Sequence, residues 1–188
     1  MDWITTIISM FTNTANWNID SVLTFFSIVL VIVGGFFAYR QWIKSNKIKR
    51  TEFINQIIEK LRFDEEMVNT MYIVEYDYDW YNDDFHDNNK KLEYSIDKLL
   101  SYLSYICYIR ELKNISKKEF SILRYELNRT CSSRAVQAYL WNLFHFSKAQ
   151  STECTFQYLI DYGTKNKIID KGSFYNSKNP QYPKYLNF

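Results

Sequence analysis

Residues 21–39 read SVLTFFSIVLVIVGGFFAY, nineteen positions without a charge. As a helix rising 1.5 Å per residue the stretch is about 28 Å long, close to the thickness of a bilayer's hydrocarbon core. Asp20 precedes it, placed to cap the helix and to sit at its positive end. Trp17 stands before the stretch and Tyr39 and Trp42 at its far end, the positions of an aromatic interface belt. A basic run follows: Arg40, Lys44, Lys47, Lys49 and Arg50, with no acid among residues 40–50. A buried core helix has no use for such a flank, so the stretch reads as a transmembrane helix.

A cleaved signal peptide would need basic residues ahead of the apolar run and a small-residue cleavage site after it. Neither is present, because residues 1–39 carry only Asp2 and Asp20 and the run ends in FFAYRQW. The segment is expected to be retained as an anchor at residues 20–40. By the positive-inside rule, residues 1–19 then lie outside and the C-terminal domain in the cytoplasm, with the protein in the cell inner membrane. The basic cluster also has a direct partner in anionic membrane lipids. After residue 50 the remaining 18 basic and 19 acidic side chains nearly cancel, so the basic charge is local and not a general nucleic-acid surface.

Within the span, Ser27, Val31, Gly34 and Ala38 fall on one stripe, and Gly35 widens its groove. Small residues four apart let two helices approach closely, which makes the stripe a candidate face for self-association into a homo-oligomer. Upstream, Trp3, Ile4, Ile7, Ile8 and Phe11 share a face opposite Thr5, Thr6 and Ser9, the pattern either of a short amphipathic segment lying in the interface or of a frayed terminus.

The rest of the chain is helical by pattern. Glycine (4) and proline (2) are scarce, and aromatic residues make up 19% of the 188 positions, enough for a large core. The anchor helix is expected to continue to residue 63, with Phe53, Ile54, Ile57, Ile58 and Leu61 at helical spacing. Asp64 is placed to cap a helix carrying Met67, Val68, Met71 and Val74 inward. Leu92, Ile96, Leu99, Leu103 and Ile106 form a clear stripe in the next. Ser116 and Glu119 have the spacing of a capping box ahead of Phe120, Leu123 and Leu127. Ser132 or Ser133 opens a helix with Val136, Leu140, Leu143 and Phe144 inward, and a last helix over about residues 152–162 is expected to stop at Gly163. Residues 171–188 hold both prolines and no helical or strand period, and read as an extended or loose end, or one laid against the domain through its tyrosines. The fold class is all-α: one N-terminal transmembrane helix, a helical bundle over residues 41–170, and a tail.

Chemistry is sparse. There is no phosphate-binding glycine loop, GxSxG or HExxH. Helical toxin ribonucleases place an Arg a few residues before a His; here Arg134 and Arg62 are the nearest before His145 and His86, too far in each case. Cys107, Cys131 and Cys154 are 24 and 23 residues apart, without metal spacing, and read as small apolar core residues. His145 lies in an apolar helix and reads as a packing histidine. Arg124, Arg129 and Arg134 recur every five residues, a strip either solvated or salt-bridged, or open to nucleic acid or an acidic partner. The stretch EYDYDWYNDDFHD, residues 75–87, gathers six carboxylates, His86 and five aromatic rings. Asp79, Asp83, Asp84, Asp87 and His86 are metal-compatible, and Mg²⁺ needs only one or two carboxylates. No second ligand-rich segment accompanies them. The stretch reads as a structured acidic connection, with Trp80, Tyr81 and Phe85 tucked against the bundle. No catalytic, cofactor-binding or metal-binding residue is assigned.

The anchor with its basic follow-on, together with IDKLLSYLSYICYIRELKNISKKEFSILRYELNR over residues 96–129, resembles small membrane-anchored all-α bacterial proteins. Some of these resemble membrane effectors of antiphage modules, including retron-type systems. That resemblance implies a non-enzymatic effector in an abortive-infection defence. It would impair the inner membrane when released by a partner complex of a reverse transcriptase and its RNA/DNA product. The alternative is a non-catalytic, membrane-tethered helical interaction or scaffold module.

Overall fold

The computed structural model describes residues 19–76 and 79–188, together with Thr5 and Ser9, which are helical. The expectations for Trp17 and for most of the segment from Trp3 to Phe11 fall outside the described residues. Every regular element among the described residues is helical. They are α1 (Ile19–Phe63), α2 (Glu65–Tyr76), α3 (Phe85–Asn88), α4 (Lys90–Glu111), α5 (Lys117–Phe120), a 3₁₀ turn (Ser121–Leu123), α6 (Arg124–Ser132), α7 (Arg134–Ala149), α8 (Gln157–Lys165) and α9 (Lys171–Phe174). The chain forms two compact units, Met1–Thr51 and Glu52–Phe188, so the boundary falls inside α1.

In the first unit α1 is long and apolar enough to cross a membrane, and it lies near the N-terminus. Most of its apolar side chains are exposed: Leu30 and Val31 are 71% and 74% exposed. Asp20 lies within the first turn of α1, not at a cap, so only its electrostatic role at the helix start is kept. The hydroxyls of Thr24 and Ser27 donate to the carbonyls of Asp20 (2.8 Å) and Leu23 (2.9 Å), so the helix satisfies its own polar groups.

In the second unit α4 is the central helix. Ile96, Leu99, Leu100, Leu103 and Ile106 are fully buried, on a stripe wide enough to meet α2 on one side and α8 on the other. Each such side chain contributes roughly 1.5–3 kcal/mol by leaving water. Ile54, Ile57 and Leu61 bring the end of α1 into this core, and Met67 and Val74 bring in α2. Cys107 and Cys131 are buried free thiols within it. Burial pushes the Cys131 thiol up to about 12.

The local stop and start signals act as their chemistry requires. Asp64 Oδ1 accepts from the Met67 amide at 3.1 Å. The Ser116–Glu119 box is closed in both directions, the Glu119 amide donating to Ser116 Oγ and the Ser116 amide to Glu119 Oε2. Ser133 caps α7 through the Val136 amide. Phe120, Leu123 and Leu127 are buried as expected, but the helix holding them is broken into α5, the 3₁₀ turn and α6.

One expectation is corrected. The last major helix is α8, which begins at Gln157 and runs through Gly163 to Lys165. The left-handed residue that ends it is Lys167 (φ 58°), with the Ile168 amide bonding back to the Gly163 carbonyl at 2.9 Å. Gly163 is required for space: a Cβ there would meet Ile169 Cδ1 at 2.5 Å and Cγ1 at 2.9 Å. The tail takes its docked form, with Tyr182 and Tyr185 packed against the domain. It contains α9, and Ile169, Phe174 and Tyr182 are buried.

Gly163→Ala sets about 1 kcal/mol of helix propensity against the overpacking of a fully buried isoleucine, which costs about 1–3 kcal/mol. Urea denaturation should show a net loss of about 1 kcal/mol, and pairing the change with Ile169→Val should recover most of it.

Candidate functional site

The predicted stripe is present on α1. Ser27, Val31, Gly34, Gly35 and Ala38 are exposed, and a Cβ built on Gly34 or Gly35 would meet nothing within 4 Å. The face is smooth, and because the Ser27 hydroxyl donates to its own helix, the stripe offers shape and one acceptor oxygen but no side-chain donor. Beyond it, Tyr39 and Trp42 stack at 6.2 Å, and the Arg40 guanidinium lies 5.6 Å over the Phe36 ring. Lys44, Lys47 and Lys49 are exposed, while Arg50 is half-buried.

The acidic connection behaves as an inside-out element. Trp80, Tyr81 and Phe85 are buried and pack edge-to-face with one another and with Tyr139 of α7 at 5.1–5.8 Å. Asp79, Asp83, Asp84 and Asp87 are exposed. Among the described residues no three His, Cys, Asp or Glu side chains gather as a metal set.

His86 is held in an arrangement that the sequence did not reveal. Its Nδ1 lies 2.7 Å from Glu93 Oε1 and its Nε2 lies 3.3 Å from the Tyr81 hydroxyl. With Nδ1–H donating to the Glu93 carboxylate, Nε2 is placed to accept from the Tyr81 hydroxyl. The imidazole stacks on Tyr139 at 6.0 Å, and Tyr139 donates to Asp97 Oδ1 at 2.6 Å. Burial raises the pKa of Asp97, opposed by that bond, and burial also keeps Tyr81 a phenol. A buried, protonated Tyr81 is a clasp and not a nucleophile: the cluster ties the acidic connection to α3, α4 and α7. The partners Glu93 and Asp97, one turn apart on α4, were the only trace of it in the sequence.

The arginine strip is not one surface. Arg124 and Arg134 are exposed, whereas Arg129 pairs with Glu75, receives support from the Tyr125 and Tyr76 hydroxyls, and lies 4.9 Å over the Tyr125 ring. Arg62 pairs with the buried Glu126 at 2.7 Å. Around these pairs Tyr72, Tyr76 and Tyr125 are each about 60% exposed, with Tyr72 and Tyr76 stacked at 5.6 Å, and a groove of about 200 Å³ runs between α2 and α6. A wider open groove of about 810 Å³ lies between α2 and the start of α4, lined by Asp64, Glu66, Asn69, Lys91 and Ser95.

His145 is a packing histidine. Its ring is buried, and its Nε2–H donates to the Phe174 carbonyl at 3.0 Å. Burial lowers its pKa, the Phe174 bond opposes this, and Lys148 adds to the lowering. No protein-family model, no curated protein and no solved structure matches the chain.

Since the folded pKa of His145 is depressed, the unfolded chain takes up its proton first. The stability tied to the neutral ring is complete above the unfolded value of about 6.5 and drains away as pH falls below it. His145→Gln keeps a donor but cannot titrate. Wild type should therefore be the more stable at pH 7.5, and the gap in melting temperature should close by pH 5.

Proposed function

We propose that the protein is a non-enzymatic, single-pass effector of the cell inner membrane. In this reading residues 1–19 are outside and the helical domain is in the cytoplasm, held silent by a partner complex. Release lets the anchors associate through the Ser27/Val31/Gly34/Ala38 face and impairs the membrane. The observation that carries this reading is the first half of α1: an apolar helix with most of its side chains exposed and two adjacent glycines open to a neighbour. Close approach of backbones at such a face is how helices associate in lipid, where burial of apolar surface gives no driving force. The exposed lysines after the span fit an anionic inner leaflet. The absence of hydrolase and nucleotide-binding motifs supports a role without catalysis. The resemblance to antiphage effectors adds the setting, abortive infection, and the partner, a reverse transcriptase with its RNA/DNA product.

A second reading, a membrane-tethered interaction module, is favoured by the Tyr72/Tyr76/Tyr125/Arg129 platform. Tyrosine and arginine dominate binding hot spots, and these side chains are already ordered by their mutual contacts. The two readings part on the anchor. If the anchor only tethers, exchanging residues 21–39 for an unrelated span preserves activity; if it acts, the exchange abolishes activity.

Expression of wild type should depolarise bacterial cells in a potential-sensitive dye assay. Gly34→Leu, inserted to the same level, should depolarise them at least several-fold less. Equal polarisation in wild-type and empty-vector cells would rule the effector reading out.

A further inference from the structure

Glu126 of α6 is a carboxylate with one oxygen unspent. Its side chain is only 7% exposed, and its Oε1 takes the Arg62 guanidinium at 2.7 Å, with the Arg62 Nε–H adding a second bond at 2.8 Å. Its Oε2 is buried and has no hydrogen-bond partner among the described residues. Folded proteins pair nearly all such acceptors, because a buried charged oxygen loses its water without return.

The carboxylate lines a groove. It belongs to the cleft of about 200 Å³ between α2 and α6, where Leu61, Val68 and Met71 form an apolar side and Tyr72, Tyr76 and Tyr125 an aromatic one. The rings here already hold a cation: the Arg129 guanidinium lies 4.9 Å over Tyr125 and 5.8 Å over Tyr76. Tyr72 stacks on Tyr76 at 5.6 Å and has no cation over it among the described residues. The lining sets Glu75 and Glu126 against Arg62 and Arg129, so an entering cation meets no excess of positive charge. Both guanidiniums are engaged by these carboxylates, which makes the groove a poor receiver for an anion.

The ligand chemistry follows from the groups present. The unpaired atom is an acceptor, so the ligand brings a donor. Only one oxygen is open, its twin being spent on Arg62, so a second guanidinium fork has no place for both arms. An ammonium is a point charge whose donors turn freely, and one oxygen suits it. A methylene stem behind it covers the Leu61, Val68 and Met71 side, and the aromatic faces favour the same charge. The three tyrosines are each about 60% exposed and carry the face beyond the reach of one side chain, which fits a protein surface and not a free amine.

We propose that this groove reads lysine: it takes the side chain of an exposed lysine on a partner protein, with the ammonium donating to Glu126 Oε2 and the stem lying along Leu61, Val68 and Met71. The proposal rests on the reading of the tyrosine platform as a contact surface, and on nothing in the anchor.

The test uses the full chain in uncharged detergent micelles, labelled with 3-fluorotyrosine. Tyr72→Phe and Tyr125→Phe assign the two fluorine signals that report on the groove. The probe is the capped peptide Gly-Ala-Lys-Ala-Gly, which should move both signals saturably. The peptide with norleucine keeps the stem without the charge and should bind about tenfold or more weakly, since a hydrogen bond to a charged group is lost. The peptide with trimethyllysine keeps the charge without a donor and should also bind more weakly. Glu126→Gln should lower affinity for the lysine peptide about tenfold. Should that variant not fold, the peptide series on the wild-type chain decides alone. Absence of any shift overturns the proposal, as does equal affinity for the norleucine or trimethyllysine peptide. Putrescine binding as tightly as the lysine peptide overturns the protein partner in favour of a free amine. The exchange of residues 21–39 decides the tethering reading separately, so the failure of either is recognisable as its own.

Discussion

The dominant constraint on this molecule is an apolar helix surface that its own chain leaves uncovered. Ten large apolar side chains between Leu23 and Phe37 stand in the open, at roughly 2 kcal/mol each for removal from water. That sum, on the order of 20 kcal/mol, exceeds the net stability of an ordinary domain. The second unit follows the opposite rule: α4 is sunk on two sides, and even the acidic connection turns its rings inward. The chain therefore divides its apolar residues between a core that is complete and a rod that is not.

Much of this was legible because the signals were local. The charge-free run, the Leu99/Leu103/Ile106 stripe, the Ser116–Glu119 box and the Ser133 cap are each written along a single helix or its first turn, and the structure shows each of them. The misreadings have a common cause in tertiary packing. By composition Gly163 is a stop signal, yet it is glycine because Ile169 needs the space. The left-handed residues that do end helices are Lys113, Ser151 and Lys167, none of which advertises itself. The tail reads as unpatterned because the spacing of three between Tyr182, Tyr185 and Phe188 belongs to neither helix nor strand, and its docking depends on Asn142, some forty residues away, whose Oδ1 accepts from the Tyr185 amide.

The site readings divide in the same way. The exposure of the Gly34 face followed from sequence alone. The His86 clasp did not, since Tyr81, Glu93, Asp97 and Tyr139 come from three separate stretches and are joined only by folding. Arg129 was visible as a charge, while its engagement by Glu75 and two tyrosines was not.

The hydroxyl of Ser27 closing on the Leu23 carbonyl has a consequence of its own. It leaves the stripe without a side-chain donor, so a neighbouring helix would be judged largely by contour. Contour falls off within an ångström or two and carries no charge to be screened. A single added methyl group is then a larger insult to that face than any change of salt, and helices meeting there can part as readily as they met.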